Sequence, residues 1–165
     1  MTPFEQITSR DAAAFPFDAF SRYPKLLVID WREEEGSIVS KYCKLAGLAQ
    51  DEATLVMDDA TGWFNLLHKG GSLPIPWSED VSAQHSTVVA LQQAFGQAHA
   101  IRYSQAAAGD SGFFIVETPQ TWQRLEAENP HVRWFFTPVE LLPDTVNASF
   151  DDIREAGRRY AEGAR

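Results

Sequence analysis

Apolar and polar residues alternate along this chain in patterns that predict short strands between amphipathic helices. The run at 25–31, KLLVIDW, is almost continuously apolar and follows Pro24. Such a run is typical of a strand that is buried on both faces, so we expect it in the middle of a sheet. A helix follows, because apolar residues recur at 38, 39, 42, 43 and 46 and Gly47 stands where a C-cap glycine is expected.

Two later stretches predict antiparallel hairpins. Residues 53–71 contain two β-rich runs around a glycine-containing turn, and residues 99–118 repeat this arrangement. The segment 72–77, SLPIPW, lacks two amide donors at its prolines, so we expect an extended surface connection there rather than a central strand. Alternating apolar residues at 131–136, HVRWFF, predict one further strand.

Capping residues and apolar stripes predict the remaining helices. Residues 1–24 are interrupted by prolines, and we expect a helical arm of broken helix packed by its phenylalanines. Helices are predicted over roughly 80–95, where an apolar stripe ends at a glycine, and over 118–129, which begins with Thr-Pro and ends at Asn-Pro. Serine and aspartate in capping-box-like spacing predict a C-terminal helix within 149–165.

These elements together predict an α+β fold. We expect a single domain over 1–165, with a mixed, mostly antiparallel sheet of about five or six strands and helices packed mainly on one face. The chain has 165 residues, of which 44% are hydrophobic and 12% aromatic. That content is enough to bury a core without disulfides or a structural metal.

The formal net charge of −9, with an isoelectric point near 4.8, narrows the classes of partner. Such a protein repels phosphate backbones and anionic membrane surfaces and attracts basic proteins. We therefore expect a basic protein partner, no nucleic acid and no membrane. The lone Cys43 allows no intramolecular disulfide, and no leader-like or bilayer-spanning run occurs, so the cytoplasm is the expected location.

Residues 109–112, GDSG, match the letters around the nucleophilic serine of trypsin-like proteases, but the match ends at Phe113. That family needs a histidine base and an orienting aspartate delivered by two β-barrels, and the upstream histidines lack its flanking residues. Phe113 also breaks the Gly-x-Ser-x-Gly pattern of a nucleophile elbow. Since glycine and aspartate are strong turn formers, the stretch favours a hairpin turn that leaves Ser111 as a loop hydroxyl.

The sequence contains no catalytic motif and no metal-ligand or cofactor-binding spacing, so we assign no catalytic residue, metal or cofactor. Four residues are candidate binding positions: Asp30 at the end of the first strand, and Trp31, Trp63 and Trp77 beside loops. The leading hypothesis is a non-enzymatic protein-binding domain, of immunity or regulatory type, with a basic protein partner. The alternative is a small enzyme or small-molecule-binding protein with a pocket near Asp30, Trp31 and the hairpin loops.

Two stretches carry a resemblance to known proteins: LLVIDWREEEGSIVSKY at 26–42 and GDSGFFIV at 109–116. They resemble small uncharacterised bacterial proteins that are grouped as a domain of unknown function. The resemblance covers about half of the chain. It implies a bacterial cytosolic origin and brings no activity, cofactor or site residue.

Overall fold

A computed structural model of the chain describes residues 2–30, 32–76, 83–107, 111–143 and 149–163. The strands within these residues are β1 (Leu26–Asp30), β2 (Thr54–Asp58), β3 (Trp63–His68), β4 (Gly71–Ile75), β5 (Ala100–Ser104), β6 (Ser111–Glu117) and β7 (Phe136–Pro138). The α-helices are α1 (Phe17–Phe20), α2 (Glu35–Ala46), α3 (Ala83–Phe95), α4 (Pro119–Glu128) and α5 (Phe150–Glu162). Short 3₁₀ turns cover Ala12–Ala14, Gln105–Ala107, Pro130–Trp134 and Val139–Leu141.

The strands form two antiparallel sheets, which confirms the predicted α+β class. The first sheet has four strands in the order β1-β6-β5-β7, and the second has three in the order β2-β3-β4. Both predicted hairpins are present as β2–β3 and β5–β6. The strands thus divide over two sheets. Local patterns do not specify this division, because the pairing of distant strands depends on long-range contacts.

Two strand predictions are wrong in their placement. The segment predicted as a connection forms β4, an edge strand in which Pro74 lies opposite Asn65. An edge position tolerates proline, because the missing amide faces away from the ladder. The strand β1, predicted for mid-sheet, is also at an edge, with Leu27 and Ile29 buried and Asp30 exposed. Its apolar run reflects cover on both faces and not strands on both sides.

Two hydrophobic cores lie on opposite faces of the four-stranded sheet. Phe114 of β6 belongs to the core shared with α2, α3 and the inner face of the three-stranded sheet. Its neighbour Ile115 belongs to a second core, formed with the N-terminal arm, α4 and the Pro130–Trp134 turn. Successive side chains of a strand point to opposite faces of the sheet, so β6 contributes residues to both cores. The helices α2 and α3 lie together on one face, and α4 adds a layer on the other.

The predicted helix ends are confirmed wherever a local cap specifies them. Thr118 accepts a hydrogen bond from the Thr121 amide at the start of α4, and Gly47 ends α2 at φ 70°. Ser149 and Asp152 form the predicted capping box of α5. Each of these signals is a hydrogen bond within one turn, so the sequence specifies it without tertiary context. Of the helix predicted over 80–95, residues 80–82 lie outside the described residues.

The strand predicted over 131–136 is wrong for most of its length. Residues Pro130–Trp134 form a 3₁₀ turn, and β7 begins only at Phe136. Asn129 starts the turn, because its side-chain oxygen accepts the His131 amide at 3.1 Å. The side-chain nitrogen Nδ2 of Asn129 also donates hydrogen bonds to the Phe4 and Ile7 carbonyls, at 2.9 and 2.8 Å. These bonds connect the N-terminal arm to the end of α4. That arm contains α1 and the Ala12–Ala14 turn, and Phe4 and Phe20 belong to the second core.

Candidate functional site

The three-stranded sheet has two unlike faces. Leu55, Leu66 and Leu73 lie side by side on the inner face, and all three contact the core shared with α2 and α3. On the outer face Val56 lies opposite Asn65, which makes it the diagonal neighbour of both Trp63 and Leu67. Such diagonal pairs are about 7–8 Å apart, within reach of large side chains.

The outer face presents exposed apolar side chains: Val56 is 45% exposed, Trp63 39% and Leu67 38%. We call these three residues the open face. Met57 is also exposed at the end of the hairpin, so β2 and β3 carry four of the six exposed large apolar side chains among the described residues. Single exposed apolar residues are ordinary, whereas a contiguous group of them marks a docking surface.

Carboxylates bracket β2 at both ends. Asp51 and Glu52 precede the strand, Asp58 is its last residue and Asp59 follows it, and Lys69 is the only lysine or arginine between 45 and 69. Asp58 has a local role, because it accepts the Ala60 amide at 3.0 Å and the Thr61 hydroxyl at 3.1 Å. With four carboxylates and one lysine in this part of the chain, the surroundings of the open face are negative.

The structure describes two of the four sequence-predicted binding residues, Asp30 and Trp63, and these two lie in different sheets. Asp30 ends β1 of the four-stranded sheet, and its carboxylate accepts the Arg32 amide at 2.9 Å in the turn before α2. Trp63 begins β3 of the other sheet. Trp31 and Trp77 lie outside the described residues. Val56 and Leu67 complete the open face and were missed. The signals for them were the consecutive apolar residues at 55–57 and at 66–67, which place apolar side chains on both faces of the hairpin.

Ser111 does not meet a histidine base. It is the first residue of β6, opposite Asp30, while residues 108–110 lie outside the described residues. The Nε2 atom of His85 lies 3.7 Å from where a Cβ on Gly112 would stand, and Gly112 faces the core beside Phe114. Ser111, one residue earlier, faces the opposite side of the sheet. All four histidines are described, and none hydrogen-bonds Ser111.

His85 packs among rings. Its imidazole lies 5.7 Å from the ring of Tyr103 and 5.5 Å from that of Phe114, in edge-to-face contacts. Burial lowers the pKa of His85 to about 4, because the cation would lose its hydration there. The neutral imidazole is therefore part of the packing between α3 and the four-stranded sheet. Cys43 is buried in the same core, as predicted.

A charged cluster fastens α5 to the fold. Glu126 of α4 accepts hydrogen bonds from the guanidinium of Arg102 and from the hydroxyl of Tyr160. Arg102 also lies over the ring of Trp122, 4.4 Å from its centroid, and Arg133 donates to the Tyr160 carbonyl at 2.8 Å. Burial, and then the hydrogen bond to Glu126, raises the pKa of Tyr160 to about 12. Mutual pairing gives this cluster a structural role.

Three surface grooves are lined by described residues, and neither Asp30 nor Trp63 lines any of them. One groove, of about 420 Å³, lies between α3 and the segment after β7, with Pro74, Val89 and Pro143 among its lining residues. Within the described ranges no three histidine, cysteine or carboxylate side chains are grouped to hold a metal ion. No helix in those ranges has the length and apolar character to cross a membrane.

The chain was compared with known families, curated proteins and solved structures, and none of them matches it significantly. The candidate function therefore rests on the residues and geometry described above.

Proposed function

We propose that this protein is a non-enzymatic binding domain that holds a basic protein against the open face. The observation that carries the proposal is that one hairpin has three exposed apolar side chains at diagonal positions on one face, together with four carboxylates at the two ends of β2. A tryptophan such as Trp63 supplies a rigid anchor with a large contact area. The carboxylates attract and orient a cationic partner before the apolar contact forms.

An immunity or regulatory role belongs to the same proposal. A chain with a net charge of −9 associates rapidly with a basic protein at low salt. Covering a basic functional surface of that partner would block its activity by occlusion. The size and acidic charge of this chain resemble those of immunity proteins that cap a basic toxin.

The alternative proposal of a small enzyme or small-molecule-binding protein has less support. Asp30 serves the turn that leads into α2, and Trp63 belongs to the other sheet. Neither residue lines a described groove. A pocket of the usual kind would bring several polar groups together around an apolar cavity.

Affinity capture with matched baits tests the proposal. Wild-type protein, Trp63→Ala and the control Phe17→Ala are immobilised and exposed to lysate from the native host. Phe17 is exposed like Trp63 but packs beside Phe113 of the four-stranded sheet. We expect a basic protein to be retained at low salt by wild type and by Phe17→Ala, and to be lost from Trp63→Ala and at high salt.

Equal retention by wild type and Trp63→Ala would contradict a role for the open face. Retention of acidic or neutral proteins alone would contradict the role of charge. A small ligand that raises the melting temperature of wild type and Trp63→Ala equally, without any captured protein, would favour the alternative.

A further inference from the structure

Three of the four sheet edges carry a feature that prevents further strand pairing. At β1 the ammonium of Lys41 donates to the Val28 carbonyl at 3.1 Å. At β4, Pro74 removes an amide donor. The remaining edge of the four-stranded sheet, β7, is only three residues long, ends in Pro138 and packs against α5. Lysine, proline, shortness and cover are the usual means by which proteins block edge-to-edge association.

The edge strand β2 contacts α2 but carries neither a lysine nor a proline. It pairs with β3 over five consecutive residues, Thr54–Asp58, without a bulge, a proline or a lysine. Within the described residues nothing outside β3 hydrogen-bonds to the amides or carbonyls of 54–57. Val56 and Met57 of this strand are 45% and 55% exposed. A regular, unprotected edge with exposed apolar side chains is suited to strand addition.

We propose that the outer edge of β2 receives an extended segment of the basic partner as a fourth strand, an inference that rests on the function proposed above. The carboxylates define the chemistry of that segment, because Asp51 and Glu52 lie before the strand, Asp58 ends it and Asp59 follows it. A complementary segment has lysine or arginine at both ends. Its middle has β-branched residues, which pair with Val56 and its neighbours on a pleated surface.

A synthetic peptide tests this directly. The probe is Arg-Lys-Val-Thr-Val-Lys-Arg with blocked ends, titrated calorimetrically into the wild-type protein. We expect it to bind, and we expect the uncharged Ser-Gln-Val-Thr-Val-Gln-Ser to bind about tenfold more weakly or worse, because the flanking ion pairs are lost. Val56→Lys should weaken binding of the basic probe similarly, whereas Val56→Thr, which keeps the β-branched shape and adds no charge, should retain it.

N-methylated probes distinguish strand addition from contact with the open face. In an added strand alternate amides face β2. Two versions of the basic probe are therefore made, each methylated on one alternate set of amides. Strand addition predicts that one version loses about tenfold or more in affinity while the other binds like the parent, since only one set donates to the edge.

The other outcomes overturn the inference. Equal binding by both methylated probes, weakened by Trp63→Ala, would place the partner on the open face alone and leave the proposed function standing. No binding of the basic probe would reject the edge as its site, while the capture experiment would still decide the function. A dimer of this chain that Val56→Lys dissociates would assign the edge to a second copy.

Discussion

The two sheets of this protein differ in how completely they are covered. The four-stranded sheet has a core on each face, and its edges are closed by Lys41, by Pro138 and by α5. The three-stranded sheet packs its inner face on the core, and among the described residues no strand pairs with the outer edge of β2 and the side chains of the open face are exposed. Folding requires the first arrangement, because buried apolar area supplies the stability. The exposed side chains of the open face bury little apolar area, so they add little to stability and are suited to binding a partner.

The largest expected effect comes from comparing two tryptophans. Trp122 is 1% exposed, and its indole donates to the Ala100 carbonyl at 3.0 Å. Trp122→Ala should cost about 3–5 kcal/mol in the free energy of unfolding, because it leaves a cavity beneath α4. Trp63→Ala on the open face should stay within about 1 kcal/mol. Urea denaturation followed by circular dichroism measures both, and similar losses for the two variants would contradict the comparison.

Acid should act on the contact between α3 and the four-stranded sheet. The pKa of His85 is about 4 in the fold and near 6.5 in the unfolded chain, so below pH 6.5 protons bind preferentially to the unfolded state. Its contribution is fully present above pH 6.5 and is lost as the pH falls towards 4, by about 3 kcal/mol at most. Denaturation at several pH values gives the free energy of unfolding as a function of pH. Below pH 6.5 this free energy should fall less steeply for His85→Leu than for wild type. His131 is exposed, so His131→Asn serves as the control, and its free energy of unfolding should fall as steeply as that of wild type.

A smaller loss is expected at the charged cluster around Glu126, which pairs with Arg102 and accepts a hydrogen bond from Tyr160 of α5. Glu126→Gln keeps the shape of the side chain but removes the charge that pairs with Arg102, so we expect a loss of about 2 kcal/mol, below the cost at a fully buried site. The matched change Glu155→Gln affects only exposed pairs with Arg158 and Arg159 and should leave the denaturation midpoint unchanged. Equal midpoints for the two variants would show that α5 does not depend on Glu126.

The sequence predicted those features that depend on neighbours in the chain. The Thr118 cap, the Ser149–Asp152 box and both hairpins are local, and all are present. The place of β1 in its sheet depends on residues far away in the chain. An apolar run indicates that both faces of a strand are buried, but it does not indicate which strands pair with it. Of the candidate site, Trp63 was predicted, whereas the open face required knowing that the hairpin forms a separate sheet with one face uncovered.

Photo-crosslinking in the native host tests the central claim most directly. A benzoylphenylalanine replaces Trp63 in one variant and Phe17 in another, so that two exposed aromatic positions on different sheets are compared. Irradiated cells should yield one crosslinked basic protein from position 63 and none from position 17. The same crosslinked proteins from both positions, or none from position 63, would contradict the assignment of binding to the open face.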